Sequence, residues 1–210
     1  MKLFLASEVK NTQTIKKLDE YIGGLRNKTI AYVPTAANGE LKYGAWETES
    51  DTWKLIQTLG ANVTPVVLEE YKNNNVYDIL QNKNIIWFAG GYCGYLMYWI
   101  RRCGLDKYLP DLLKAGSVYV GSSAGSMIAG PSLEVAEWYP GDIERGASLL
   151  PGLRLVDFDI YPHYEENMLP EIKQHYHGKK LYLLKNGEEI IVENNKIKVV
   201  GIVRVITSSS

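Results

Sequence analysis

The chain has 210 residues, of which 46% are apolar and 22% charged, enough apolar material for one sizeable core within a single domain spanning 1–210. Lys plus Arg number 23 against 24 Asp plus Glu, for a net charge of −1, which excludes a bulk electrostatic attraction to nucleic acid or to an anionic membrane. Cys93 and Cys103 stand alone with no flanking Cys or His pair, so neither a disulfide framework nor a zinc pattern is present, and a reducing, cytoplasmic setting is expected.

The chain opens on the apolar run Leu3 to Ala6, too short for a signal peptide's apolar region. No stretch approaches the roughly 18 apolar residues that a membrane span requires. From about Asn11 to Leu25 the residues Ile15, Leu18, Ile22 and Leu25 share one helical face, and Lys28 to Pro34 reads as a buried strand. Trp53, Ile56 and Leu59 predict a helix, Val63 to Leu68 a third strand, and Asn84 to Gly91 a fourth that runs into a Gly-rich turn. Apolar helices are expected around Gly94 to Arg102 and Leu105 to Ala115, then a fifth strand over Ser117 to Gly121. This alternation predicts an α/β fold, a doubly wound and mostly parallel sheet with flanking helices.

Beyond Ala129 the pattern changes. Pro131 to Pro151, rich in Gly, Pro and charge, reads as a long loop region, and Leu155 to Ile160 as a strand leading to Tyr161-Pro162-His163. Short runs from Lys180 onward, separated by Asn186-Gly187 and Asn194-Asn195, predict a small antiparallel β extension at the C-terminus.

The chemistry concentrates in Gly121-Ser122-Ser123-Ala124-Gly125, directly after a buried strand. In Gly-x-Ser-x-Gly the two glycines allow the sharp strand-to-helix turn, a nucleophile elbow, that exposes the central serine, here Ser123. Close packing of strand on helix, or helix capping by Ser122 or Ser123, would need the same small residues. A serine nucleophile needs a base, and the chain has 3 histidines. His175 and His177 lie in a polar stretch that suits solvated side chains, and they have no neighbouring residues to complete a metal site. His163 lies at a strand end, where sites gather in open α/β sheets, although a buried structural histidine would also fit. Gly91, after Gly90 at the end of the fourth strand, and the amide of Ala124 are the candidate oxyanion donors; a tight turn alone would also explain the Gly-Gly pair. Tyr92, Trp138, Tyr139, Tyr161 and Tyr164 flank these segments and are candidate pocket-lining residues.

Taken in order, Trp87-Phe88-Ala89-Gly90-Gly91, Val120-Gly121-Ser122-Ser123-Ala124-Gly125-Ser126 and Ile160-Tyr161-Pro162-His163-Tyr164 resemble the aspartyl dipeptidase (peptidase E) family of serine peptidases, to which cyanophycinase is related. The opening Lys2 to Ser7 and Ile30 to Ala37 resemble it too. The resemblance implies a flavodoxin-like fold similar to class I glutamine amidotransferases, with serine in place of cysteine. It implies Ser123 as nucleophile, His163 as general base, and Gly91 with Ala124 as oxyanion donors. It also implies a short peptide substrate, for which Gly90, Tyr92, Trp138 and Tyr164, beside the catalytic segments, are the candidate binding residues.

Three positions depart from the family pattern. Gly90-Gly91-Tyr92-Cys93 replaces the family's Gly-Gly-Asn-Thr. Asn186 falls where the family carries the glutamate of its triad, with Glu188, Glu189, Glu137 and Asp142 as alternative carboxylates. The family's preference for N-terminal aspartate is attributed to an arginine after the histidine, and here Glu165, Glu166 and Glu171 follow His163, with no arginine before Arg204. Those carboxylates would repel an acidic substrate. No dinucleotide or phosphate-loop motif is present, so no cofactor or metal is expected. The leading expectation is a serine peptidase acting on short peptides, possible as a homodimer. The alternatives are another acyl or amide hydrolase, esterase or cyanophycinase-like, or a binding protein on the same fold that has lost turnover.

Overall fold

The computed structural model describes residues 1–71 and 76–207. In chain order they form β1 (Lys2–Ala6), α1 (Thr12–Ile22), β2 (Thr29–Val33), α2 (Thr35–Glu40), α3 (Trp46–Glu49), α4 (Asp51–Ile56), β3 (Asn62–Pro65) and α5 (Val76–Leu80). There follow β4 (Ile85–Phe88), α6 (Cys93–Arg102), α7 (Leu105–Lys114), β5 (Val118–Ser122) and α8 (Ala124–Met127). The last third contributes β6 (Asp159–Tyr161), α9 (Leu169–His175), β7 (Lys180–Leu183), β8 (Glu189–Glu193), β9 (Lys196–Val200) and β10 (Val205–Thr207).

Seven strands make the main sheet in the order β3-β2-β4-β5-β1-β8-β9. The first five are parallel, while β8 runs antiparallel to β1 and β9 antiparallel to β8. Strands β3-β2-β4-β5 repeat the spatial order of the first four strands of a flavodoxin-like sheet, with β1 on the far side of β5. Within β1, Leu3 and Leu5 enter the core on one face, with Met97, Ile100 and Leu109 of α6 and α7. Phe4 and Ala6 enter the core on the other, with Ile15 and Leu18 of α1 and with Trp46. Cover on both sides buries all of β4 and β5 and nearly all of β1 and β2, which is why these segments read as unbroken apolar runs, whereas the edge strand β3 stays partly exposed.

The structure adds a division into two sheets that the sequence left open. The strand before His163 does not join the main sheet: β6 pairs in parallel with β7, and β10 runs antiparallel to β7, in a separate three-stranded sheet. The C-terminal strands pair antiparallel, as β7 with β10 and β8 with β9, but the two pairs are divided between the two sheets. Asn194 and Asn195, at φ 51° and 64°, turn β8 into β9 as a hairpin, because asparagine tolerates the left-handed region such turns require. Asn186-Gly187 instead carries the chain from β7 in the small sheet to β8 in the large one. The short helices α2 and α3 lack enough turns to show a period and had no counterpart in the sequence reading.

Candidate active site

The carboxyl ends of β1, β2, β4 and β5 point to the same edge of the sheet, where open α/β sheets form their crevices. A cavity of about 310 Å³ opens there. Its wall draws Glu8 from after β1, Ala37 and Glu40 from α2, Gly90 and Gly91 from after β4, and Ser123 from after β5. His163 reaches the same wall from the turn after β6.

Ser123 caps the start of α8 at φ 51° and ψ −113°, a backbone conformation that costs an ordinary residue about 1–3 kcal/mol and persists only where its surroundings enforce it. They do so here through small residues. A Cβ on Gly121 would stand 2.5 Å from the Gly125 carbonyl oxygen, and one on Gly125 would overlap the Phe88 carbonyl of β4. Hydrogen bonds hold the turn from three sides. The Ser123 N–H donates to Ala6 O at 3.2 Å, Ser126 Oγ to Ala6 O at 2.7 Å, and Tyr119 Oη to Gly125 O at 2.5 Å. Among the described residues, the N–H groups of Gly91 and Ala124 donate to no protein acceptor. Gly91 sits at φ 126°, and a Cβ there would collide with the backbone of Ala36.

His163 also has a left-handed backbone, at φ 51°. Its Nε2 lies 3.0 Å from Ser123 Oγ and its Nδ1 2.6 Å from Asn186 Oδ1. A residue the sequence reading missed ties this pair together. The hydroxyl of Ser7, fully buried at the end of β1, accepts the His163 backbone N–H at 2.8 Å and donates to Asn186 Oδ1 at 3.2 Å. A donor on that atom fits the amide oxygen facing the ring, so that His163 carries its proton on Nδ1 and presents a lone pair to Ser123. The only sequence signal for Ser7 was its place in the motif-like run that opens the chain.

Three of the four alternative acids are engaged elsewhere. Glu188 pairs with Arg204 at 2.7 Å and accepts the Lys185 and Ile202 amides. Glu189 is buried against Lys17 at 3.1 Å, and burial pushes its carboxyl up from 4.5 to about 6. Glu137 caps Ser148. Asp142 lines the cavity.

Gly90, Gly91, Ser123 and His163 thus meet in one cavity, with Asn186 behind the histidine, whereas Tyr92, Trp138 and Tyr164 stand outside its wall. Tyr92 precedes α6, Trp138 stacks between Tyr161 and His175, and Tyr164 is buried, donating to Glu166. Tyr139 does line the cavity and donates to Pro162 O at 2.9 Å. Glu165, Glu166 and Glu171 do not reach the wall. Glu166 pairs with Lys185 and Arg204 at the surface, so the acidic stretch after His163 is not what a substrate would meet. In their place the cavity presents Glu8, Glu40, Asp142 and Glu144. Glu144 caps α6 by accepting the Cys93, Gly94 and Tyr95 amides at 2.5, 2.7 and 3.4 Å. Burial raises its carboxyl above the usual range despite those donors. Among the described residues no cluster of His, Cys, Asp and Glu could hold a metal ion, and no helix is long and apolar enough to cross a membrane.

The chain is similar to known proteins over most of its length. An uncharacterized peptidase of Listeria monocytogenes is 27% identical over 202 residues, covering 93% of this chain and 96% of its own. Peptidase E of Haemophilus influenzae is 26% identical over 172 residues, 78% of this chain and 72% of its own. The fold matches a crystal structure of a candidate peptidase E protein from Listeria monocytogenes with a TM-score of 0.80 at 23% identity, over 96% of this chain and 98% of that one. Residues 3–200 match the model of peptidase family S51. The chain belongs to peptidase family S51, the family of peptidase E, and is a peptidase.

Proposed function

We propose that this peptidase is of the serine type, works in the cytoplasm and hydrolyses short peptides through an acyl-enzyme on Ser123. The observation that carries the reading is the chain of contacts from Ser123 Oγ to His163 Nε2 at 3.0 Å and from His163 Nδ1 to Asn186 Oδ1 at 2.6 Å. His163 takes the Ser123 proton at Nε2 as Oγ attacks the scissile carbonyl. The amides of Gly91 and Ala124 stabilise the oxyanion, and the imidazolium returns its proton to the leaving amine. Water then attacks the ester, losing its proton to His163, and collapse of the second tetrahedral intermediate frees the acid and restores Ser123. Asn186 fixes the tautomer and orientation of the ring but brings no negative charge, so the imidazolium is stabilised less than beside a carboxylate. A cavity of about 310 Å³ is at the small end for organic ligands, which favours peptides of a few residues. Two buried free thiols suit the reducing compartment.

The test is amine release from a panel of dipeptides and tripeptides by the wild type and by Ser123→Ala side by side. Turnover that disappears in the variant, with an unchanged melting temperature, is expected. Turnover that survives Ser123→Ala would overturn the assignment of the nucleophile.

A further inference from the structure

Gly91 presents its N–H from a backbone at φ 126°, at the point where the chain leaves β4 and leans on α2. The next amide, Tyr92 N–H, donates to Ala36 O at 3.0 Å. A Cβ on Gly91 would lie 2.3 Å from the Ala36 carbonyl oxygen and 2.6 Å from Ala37 N, so the Gly91 backbone rests directly on the Ala36–Ala37 peptide. The helix that carries this peptide cannot hold it in place alone. α2 has 6 residues and no side-chain cap at Pro34, and helices this short are unstable by themselves.

A buried carboxylate with no part in the chemistry grips α2 instead. Glu69, in the 3₁₀ turn Leu68–Glu70 after β3, is 8% exposed and lies outside the cavity wall. Its Oε2 accepts the Thr35 hydroxyl at 2.8 Å and its Oε1 accepts Asn38 Nδ2 at 2.9 Å. Thr35 and Asn38 flank the Ala36–Ala37 peptide on either side. The donor sense is fixed at both ends. Thr35 Oγ1 accepts Leu68 N–H at 3.0 Å, leaving its own hydrogen for Glu69. Asn38 Oδ1 accepts Gly44 N–H at 2.9 Å, which turns its Nδ2 toward the carboxylate.

We infer that Glu69 is a positioning residue for the oxyanion donor: through Thr35 and Asn38 it fixes the Ala36–Ala37 peptide on which Gly91 is seated, and so the direction of the Gly91 N–H. The inference rests on the serine-peptidase reading above and extends it to a side chain that touches no reacting atom. Apolar packing would hold α2 against the fold without fixing its direction, whereas two hydrogen bonds to one carboxylate fix both. Oxyanion stabilisation needs that accuracy, because a donor acts only within about 2.7–3.1 Å of the developing charge.

Glu69→Gln tests this with almost no change of shape. A glutamine side chain accepts on one arm and donates on the other, so it cannot receive both Thr35 and Asn38, and a donor is left facing a donor. Adding Asn38→Asp gives the new amide an acceptor and keeps one for Gly44 N–H, so Glu69→Gln/Asn38→Asp satisfies every group again. In Glu69→Gln, kcat on the best peptide of the panel is expected to fall about tenfold or more with KM within about twofold. The matching peptidyl boronic acid, whose adduct with Ser123 sets an oxygen between the Gly91 and Ala124 amides, should bind about tenfold more weakly, and the double variant should recover both values to within about threefold of wild type. Gly91 can also be followed without a substrate. Gly23-Gly24 and Gly90-Gly91 are the two Gly-Gly pairs of the chain, so glycine doubly labelled with carbon and nitrogen isotopes yields two amide resonances in a carbonyl–amide correlation spectrum, told apart by Gly24→Ala. The Gly91 resonance should shift in Glu69→Gln and return in the double variant while that of Gly24 stays.

A lower melting temperature with kcat and inhibitor affinity unchanged, a loss confined to KM, a Gly91 resonance that does not move, or a double variant that regains stability without turnover would overturn the inference and leave the peptidase reading intact. If the wild type cleaves no peptide, the peptidase reading fails, and the positioning is judged on the Gly91 resonance: a shift restored by the double variant upholds it, and an unmoved resonance overturns it. If Glu69→Gln does not fold, Asn38→Ala, which withdraws one donor from Glu69, takes its place, with the same losses in kcat and inhibitor affinity and the same shift of Gly91 expected, and their absence overturning the inference.

Discussion

Replacing Ser7 by Ala removes one hydroxyl that neither lines the cavity nor touches Ser123, yet it should impair both folding and turnover. The hydroxyl is fully buried. It accepts the His163 N–H at 2.8 Å and donates to Asn186 Oδ1 at 3.2 Å. Ala leaves the His163 amide without an acceptor, which costs about 1–3 kcal/mol. For a chain of this size that is a fall in Tm of about 2–4 °C per kcal/mol. His163 also sits at φ 51°, a conformation that relaxes unless neighbours hold it. Releasing its backbone lets the imidazole drift from the 3.0 Å contact with Ser123 Oγ, and a displacement of about 1 Å at a reacting group can cost about a hundredfold in rate. The expected result is kcat on the best peptide lowered by about ten- to a hundredfold with KM nearly unchanged, together with a Tm lowered by several degrees. Because Ser7 acts through His163 and Asn186, its effect on kcat and that of Asn186→Ala should be strongly non-additive in the double variant. A variant that melts lower but turns over at the wild-type rate, or effects that simply add, would show that Ser7 is only a packing residue and refute the reasoning.

Other substitutions test neighbouring steps of the argument. Gly121→Ala would place its Cβ 2.5 Å from the Gly125 carbonyl oxygen, and a cost of about 1–3 kcal/mol should appear as a lower midpoint in urea; an unchanged midpoint would mean that the turn has room the structure does not show. Asn186→Asp puts a full negative charge beside the ring, at an exposed position, where about 1 kcal/mol of attraction in a watery setting predicts about a fivefold rise in kcat/KM; a fall would show that Asn186 contributes more than orientation. Glu189 is buried with its carboxyl raised from 4.5 to about 6, so the folded state binds its proton more tightly than the unfolded chain does. Its contribution is therefore greatest below about pH 4.5 and is lost as pH rises toward and through about 6. At about 1.4 kcal/mol per unit this amounts to about 2 kcal/mol, and urea unfolding between pH 4.5 and 7.5 should fall less steeply in Glu189→Gln than in the wild type; parallel profiles would contradict it.

The amino-acid sequence by itself determined the parallel sheet, its flanking helices and the segments where chemistry gathers. These features are written locally: a buried strand is a short apolar run, and a strand-to-helix turn as tight as the one at Ser123 admits only glycine at 121 and 125, where any side chain would meet a carbonyl. Much of the rest depends on strand order, which local patterns do not encode. Insertion of β8 beside β1 brings Asn186 behind His163, and the same arrangement brings Ser7 to a residue 156 positions away. The strand leading to His163 belongs to a second sheet although its composition resembles that of the first. The charge of the cavity shows the division most clearly. Glu165, Glu166 and Glu171 are close to His163 in the chain and face solvent or surface cations, whereas Glu8, Glu40, Asp142 and Glu144 are scattered along it and share one wall. Only the packed fold decides which charges a substrate meets, because electrostatic interaction depends on separation in space and on burial, not on separation along the sequence.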